Sequence, residues 1–172
     1  MLRRHYGLWL LVALIIGFCL GSGIKTAWEH NRFIVGSWQT QTPILVVCPC
    51  SSVTRYRVGN AVQWWGIRGY EVKSVHWDDD NTVCSKGKFV DGVIFIRGEG
   101  EREKGTYAVT SRIMIINDMR SASILLPNGN THMPRLLEHE MGHAFGMSHV
   151  DITGHMMHAI YEYGGDRFWI PD

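Results

Sequence analysis

Three histidines and one glutamate lie close together in the C-terminal third of the chain. The segment reads His139-Glu140-x-x-His143-x-x-Gly146-x-x-His149. Residues four apart lie on one face of a helix, so His139 and His143 can direct their imidazoles at one metal ion. Gly146 can adopt the positive φ that ends a helix, after which the chain turns and brings in His149. Three protein ligands leave a fourth position for water, which is typical of a catalytic zinc ion.

Glu140 lies one position round the helix from His139 and is not needed as a ligand. A carboxylate there can take the proton of a zinc-activated water, which is the role of a general base in hydrolysis. A chance cluster is the alternative, since the chain has nine histidines among 172 residues. Agreement at all five positions favours the zinc site, because this composition would produce it only about once in ten thousand tries.

The run from His139 to Tyr161 resembles the metzincin metallopeptidases, and it is closest to the matrixin (matrix metallopeptidase) pattern. In that family the third histidine is followed by Gly, two residues, a turn methionine below the zinc, and a Pro-x-Tyr segment. Gly154, Met157 and Tyr161 fall at the Gly, Met and Tyr positions, whereas Ala159 replaces the proline. The resemblance implies that Met157 is the turn methionine; ordinary core packing is the alternative.

Apolar patterns predict the elements that must position this site. Helical spacing predicts one helix at residues 52–69 and a second, the zinc helix, from Pro134 to Gly146. Apolar or alternating runs predict five strands, at residues 43–47, 70–77, 90–97, 107–110 and 112–117. Together with the resemblance, this order of elements implies an α+β, zincin-like fold: a twisted mixed, mostly parallel sheet with two main helices. The zinc helix closes the N-terminal subdomain, and a minimal C-terminal subdomain follows.

The resemblance also implies a substrate cleft along one antiparallel edge strand, to which a peptide adds as a further strand. The candidate residues are Tyr107, Ala108, Val109 and Thr110. Tyr161 is the candidate for the opposite wall, with simple packing as the alternative. Glu138, which precedes the first ligand, is expected at the surface.

The N-terminal segment predicts export of the domain. Arg3 and Arg4 precede an apolar run from Leu8 to Leu20, so residues 1–24 are a signal anchor or a cleavable signal peptide. Residues 25–42 are assigned to a linker and residues 43–172 to the metzincin-like catalytic domain. The domain is then extracytoplasmic, either on a single-pass anchor whose N-terminus is inside or secreted after cleavage.

Charge and cysteine content limit the partners. The chain has 17 basic and 16 acidic residues, and it lacks the basic aromatic patch typical of nucleic-acid binding. A monomer that acts on a protein or peptide, and contacts the membrane through its N-terminal segment, is expected. In an exported domain, one disulfide between Cys84 and either Cys48 or Cys50 is the natural pairing.

The sequence therefore predicts an endopeptidase with one catalytic Zn²⁺, in which Glu140 is the general base. A membrane-tethered, non-catalytic zinc-binding module is one alternative, favoured by the short C-terminus and disfavoured by an intact general base. An amidase that acts on cell-wall peptides is another, since it uses the same zinc chemistry.

Overall fold

The computed structural model describes residues 33–98 and 105–171. Residues 34–169 form one compact unit; the second unit comprises residues 1–33 and 170–172, of which only residues 33, 170 and 171 are described. The predicted signal segment at 1–24 and the linker as far as residue 32 lie outside the described residues. Within the described ranges, no helix combines the length and apolar character needed to cross a membrane.

The unit at 34–169 combines a five-stranded sheet with two α-helices, so the fold is α+β as predicted. In chain order the elements are β1 (Ile44–Val47), α1 (Arg55–Gly66), β2 (Ser74–Trp77), β3 (Val93–Arg97), β4 (Val109–Ile115), β5 (Asp118–Leu125) and α2 (Leu136–Ala144). Short 3₁₀ turns occupy Cys84–Lys86, Asn128–Asn130 and Tyr161–Tyr163.

The sheet is mixed and mostly parallel, with the order β2-β1-β3-β5-β4. The first three pairings along this order are parallel, whereas β4 pairs antiparallel with β5 at one edge. Ile94, Phe95 and Ile96 in the central strand are fully buried. A continuous apolar run of this kind is what a parallel strand covered on both faces requires.

The main correction to the prediction concerns the last two strands. Separate strands at 107–110 and 112–117 are wrong, because the chain forms one strand, β4, reverses at Ile116 and returns as β5. Ile116 has a φ of 59°, which is rare for a β-branched residue. The sequence therefore gives no indication that the chain turns at this position. β5 was not predicted because its buried face carries serines; the Ser121 hydroxyl donates to the Val93 carbonyl oxygen at 3.1 Å.

The other elements differ from their predictions mainly in length. β2 begins at Ser74 and α1 at Arg55, where the side chain of Thr54 accepts a hydrogen bond from the Arg57 backbone N–H at 3.2 Å. This cap satisfies one of the free amides at the start of the helix. α2 begins two residues after Pro134, because Arg135 takes a left-handed conformation with a φ of 64°.

Residues 34–42, which the sequence assigns to a linker, belong to the compact unit. The Val35 N–H donates to the carbonyl oxygen of Gly146 at 2.8 Å, and the Trp38 indole N–H donates to that of Ala144 at 3.0 Å. This segment therefore satisfies carbonyl groups at and just beyond the C-terminal end of α2.

One disulfide ties the sheet to a neighbouring loop. Cys48 is bonded to Cys84, with their Cα atoms 5.8 Å apart, and Cys50 is a free thiol. The sequence leaves open whether Cys84 pairs with Cys48 or with Cys50, and this structure contains the Cys48–Cys84 pair. The disulfide holds the residue after β1 to the loop that connects β2 with β3.

Candidate metal centre and cleft

The turn that follows α2 contains a glycine that the local geometry requires. Gly146 has a φ of 99°, which disfavours any residue with a side chain. A Cβ at this position would also overlap the carbonyl group of Gly36. The turn at Gly146 lets the chain reverse, so that His149 faces His139 and His143 on the helix.

The three imidazoles converge through their Nε2 atoms. The Nε2 atom of His139 lies 3.2 Å from those of His143 and His149, and the latter two are 3.0 Å apart. Three nitrogens that bind one tetrahedral zinc at about 2.0–2.1 Å are separated by about 3.3 Å. The spacing of this triangle therefore fits a single zinc ion held by three protein nitrogens.

Backbone carbonyls determine which ring nitrogens carry protons. The Nδ1 atom of His139 lies 2.8 Å from the Met156 carbonyl oxygen, and that of His143 lies 2.8 Å from the Met147 carbonyl oxygen. A carbonyl oxygen only accepts, so each Nδ1 is the protonated nitrogen in the neutral ring and each Nε2 has a free lone pair. Lone pairs that face one another repel, and a bound cation removes this repulsion.

Burial favours the neutral, ligating form of these rings. It lowers the pKa of His139 to about 4 and that of His143 to about 3. Burial also lowers the pKa of His149, which is the most exposed of the three. The imidazoles are therefore uncharged near pH 7, and metal binding there does not require proton loss.

Glu140 lies beside the imidazole triangle with its side chain buried. Desolvation raises the pKa of this carboxyl to about 7, although a hydrogen bond from Thr110 acts in the opposite direction. The Thr110 hydroxyl lies 2.6 Å from Oε2 of Glu140 and 3.0 Å from its backbone oxygen. A carboxyl group with a pKa near 7 can exchange protons at neutral pH, which suits a general base.

Met157 lies beneath α2 and is fully buried. Its sulfur occupies the space that a Cβ on Gly142 would require, and the Trp65 ring closes the same space. The preceding residue, Met156, supplies the carbonyl oxygen that orients His139. The segment predicted to form the methionine turn therefore packs against α2.

Glu138 corrects another expectation, because it is buried rather than at the surface. Both of its carboxylate oxygens accept hydrogen bonds from the Arg57 guanidinium, at 3.1 and 3.0 Å. Its backbone oxygen accepts from the Trp65 indole N–H at 2.8 Å. These bonds connect α1 to the first turn of α2, directly before the first histidine.

The short C-terminal segment is braced by a buried histidine. The Nδ1 atom of His155 accepts a hydrogen bond from the Met157 N–H at 3.0 Å, which leaves the proton on Nε2. Nε2 then donates to the Trp169 carbonyl oxygen at 2.9 Å. His155 therefore joins the methionine turn to the end of the compact unit, and its ring nitrogens are used away from the three converging histidines.

A cavity of about 1020 Å³, which we call the cleft, lies over the imidazole triangle. All five residues predicted for the substrate site line it: Tyr107, Ala108, Val109, Thr110 and Tyr161. The rings of Tyr107 and Tyr161 meet edge to face at 5.6 Å and narrow one end. The Tyr161 hydroxyl donates to the Pro134 carbonyl oxygen at 2.7 Å, which holds this wall against the start of α2.

Several lining residues were not predicted, among them Leu136, Ser148, Glu162 and Arg112. For Arg112 a signal was present in the sequence. Residues two apart in a strand face the same side, so a strand that directs Thr110 into the cleft also directs Arg112 there. Leu136 is the first residue of α2, Ser148 lies between Gly146 and His149, and Glu162 lies in a 3₁₀ turn; none of them follows a comparable pattern.

No family model matches the chain, and no solved structure matches it.

Proposed function

We propose that this protein is a zinc-dependent endopeptidase of the metzincin type, closest to the matrixins. The observation that carries the proposal is the convergence of three imidazole Nε2 atoms beside a buried carboxyl group. Either feature alone is compatible with a structural site. Together, at the floor of an open cleft, they provide both a metal position and a proton acceptor.

His139, His143 and His149 would hold the ion and leave one position free for water. When bound, zinc lowers the pKa of that water and polarises the carbonyl of the scissile bond. Glu140 takes a proton from the water and transfers it to the leaving amine, a transfer that a carboxyl with a pKa of about 7 can make in both directions. The Thr110 hydroxyl holds Oε2 of Glu140 in place at 2.6 Å.

The position of β4 supports a peptide substrate. β4 is an edge strand of the sheet, paired with β5 on one side, and it borders the cleft. An extended peptide can pair with the open side of such a strand through main-chain hydrogen bonds. Lining residues occur before and after Thr110 along the strand, so a chain can extend in both directions from the metal position, as an endopeptidase requires.

Two further observations support an extracytoplasmic location of the domain. Residues 1–24 have the pattern of a signal anchor or signal peptide, and the Cys48–Cys84 disulfide is of the kind that persists in oxidising compartments.

The non-catalytic alternative has less support, because a general base at the metal serves no purpose in a scaffold. Cell-wall peptides remain the alternative substrate, and the assay below separates them from proteins.

The test uses the full chain loaded with zinc and incubated with a mixed peptide library, with cleavages mapped by mass spectrometry. We expect cuts that disappear on chelation and fall by about 10²–10⁴ in rate in Glu140→Gln, the range for loss of a general base. Glu71→Gln is the matched control, since Glu71 is exposed and does not line the cleft, and it should retain the wild-type rate. Undiminished turnover in Glu140→Gln would contradict the proposal. Zinc binding without cleavage would direct attention to cell-wall peptides or to a binding module.

A further inference from the structure

Arg112 projects into the cleft from β4, and its side chain is held by hydrogen bonds to the backbone. Its Nη1 atom donates to the carbonyl oxygens of His143 and Met147, at 3.1 and 3.0 Å. These two carbonyls lie at the end of α2 and in the turn that leads to His149. The guanidinium is thus fixed next to the metal position, while Nε and Nη2 make no hydrogen bond to the described residues.

Among the described residues, no carboxylate pairs with Arg112. Other arginines of the chain do have such partners: Arg57 with Glu138, Arg120 with Asp91 and Asp118, and Arg135 with Asp166. Arg112 is half-buried. A partly desolvated cation without an anion is unfavourable, which makes this position receptive to one.

The cleft is also asymmetric in charge. Arg112 is the single Lys or Arg among its described lining residues, and it lies at the His143 side of the imidazole triangle. Glu162 lies with Tyr161 in the 3₁₀ turn whose tyrosine narrows the other end. A substrate that spans the metal therefore meets a positive charge on one side and a negative charge on the other.

We propose that Arg112 is a specificity determinant that binds a carboxylate of the substrate. Its planar guanidinium has Nε and Nη2 on one edge, the arrangement that pairs with both oxygens of a carboxylate. The carboxylate can come from an acidic side chain near the scissile bond or from a free C-terminus. This inference rests on the proposed function and names the substrate class of the same site.

The test measures ligand binding rather than turnover, using peptide hydroxamates that attach to zinc. One series carries the hydroxamate at the C-terminus and the other at the N-terminus, so the peptide extends to one side of the metal or the other. Within each series, Glu is compared with Gln at successive positions, and in the N-terminal series a free carboxyl end is compared with an amide. Dissociation constants are measured by calorimetry on the zinc-loaded full chain.

We expect at least one carboxylate ligand to bind about tenfold more tightly than its neutral partner, a ratio typical of a charge-assisted hydrogen bond. Arg112→Gln should abolish this ratio, and Arg112→Lys should retain part of it. Arg55→Gln is the control, because Arg55 lies over the Trp77 ring at the far edge of the sheet, and it should leave the ratio unchanged.

The comparison of ligands on the wild-type chain decides the matter even if an Arg112 variant fails to fold. Equal binding of charged and neutral ligands in both series overturns the inference, and zinc-dependent cleavage in the library assay would then leave the proposed function standing. A preference that survives in folded Arg112→Gln also overturns it. Failure of every hydroxamate to bind the zinc-loaded chain contradicts the metal site and the inference together.

Discussion

Gly142 in α2 offers a sharp test of how this helix is supported. An alanine in a helix is normally more favourable than a glycine, by about 1 kcal/mol. At Gly142, however, an added Cβ would overlap the Met157 sulfur and lie 2.9 Å from Cζ2 of Trp65. Both neighbours are completely buried, so neither can move aside into solvent. The Trp65 ring is further fixed by its hydrogen bond to the Glu138 backbone.

The competing terms can be compared directly. Overpacking of a filled core costs about 1–3 kcal/mol, and two fully buried neighbours place Gly142→Ala in the upper part of that range. The helical preference for alanine offsets about 1 kcal/mol of this cost. We therefore expect a net loss of about 1–2 kcal/mol in the free energy of unfolding.

Gly59 in α1 provides the matched control. It is exposed, and an added Cβ would have no heavy atom within 4 Å. Gly59→Ala should therefore stabilise the protein by about 0.5–1 kcal/mol through backbone entropy alone. Urea unfolding of both variants without zinc, followed by far-ultraviolet circular dichroism, gives the two free-energy changes on one scale.

A third variant isolates the contact itself. In Met157→Ala the sulfur is absent, so the additional loss caused by Gly142→Ala should shrink. If Gly142→Ala instead stabilises the protein as much as Gly59→Ala does, the methionine turn does not pack beneath α2, and the reasoning is refuted.

Two further perturbations test the supports of the site. Arg57→Met leaves the buried Glu138 carboxylate without its partner and should lower the free energy of unfolding, measured in urea, by about 3–5 kcal/mol. The double variant Arg57→Met with Glu138→Met should lose less. Equal losses would show that the pair is not coupled. Burial lowers the pKa of His155, so its contribution to stability is complete above the unfolded value of about 6.5 and is lost as the pH falls through the folded pKa. In a chelator, stability should therefore fall less between pH 7.5 and pH 5 in His155→Phe than in the wild type, and identical slopes would contradict this role.

The site could be predicted from the sequence because its spacing is local. His139 and His143 are one helical turn apart, and the glycine before His149 permits the reversal, so a short segment contains the whole imidazole triangle. The coarse fold followed from apolar runs such as β3, since burial on both faces leaves a continuous pattern. Neither inference needed knowledge of distant parts of the chain.

The features that were missed depend on distant partners. Glu138 is buried because Arg57, from the other helix, neutralises it, and no local pattern announces that pairing. β5 was missed because the polar Ser121 is buried with a hydrogen-bond partner on β3, which breaks the apolar alternation. Arg112 was missed because its place in the cleft depends on the packing of β4 beside α2, which the sequence does not show.

The most direct test of the catalytic zinc site is the zinc X-ray absorption spectrum of the chain loaded with one equivalent of metal. We expect three imidazole nitrogens at about 2.0–2.1 Å and one oxygen ligand from water. We also expect that one imidazole is lost in His149→Ala, while the other two remain. A coordination shell that contains sulfur, four protein ligands without water, or no change on loss of His149 would contradict a catalytic zinc at this position.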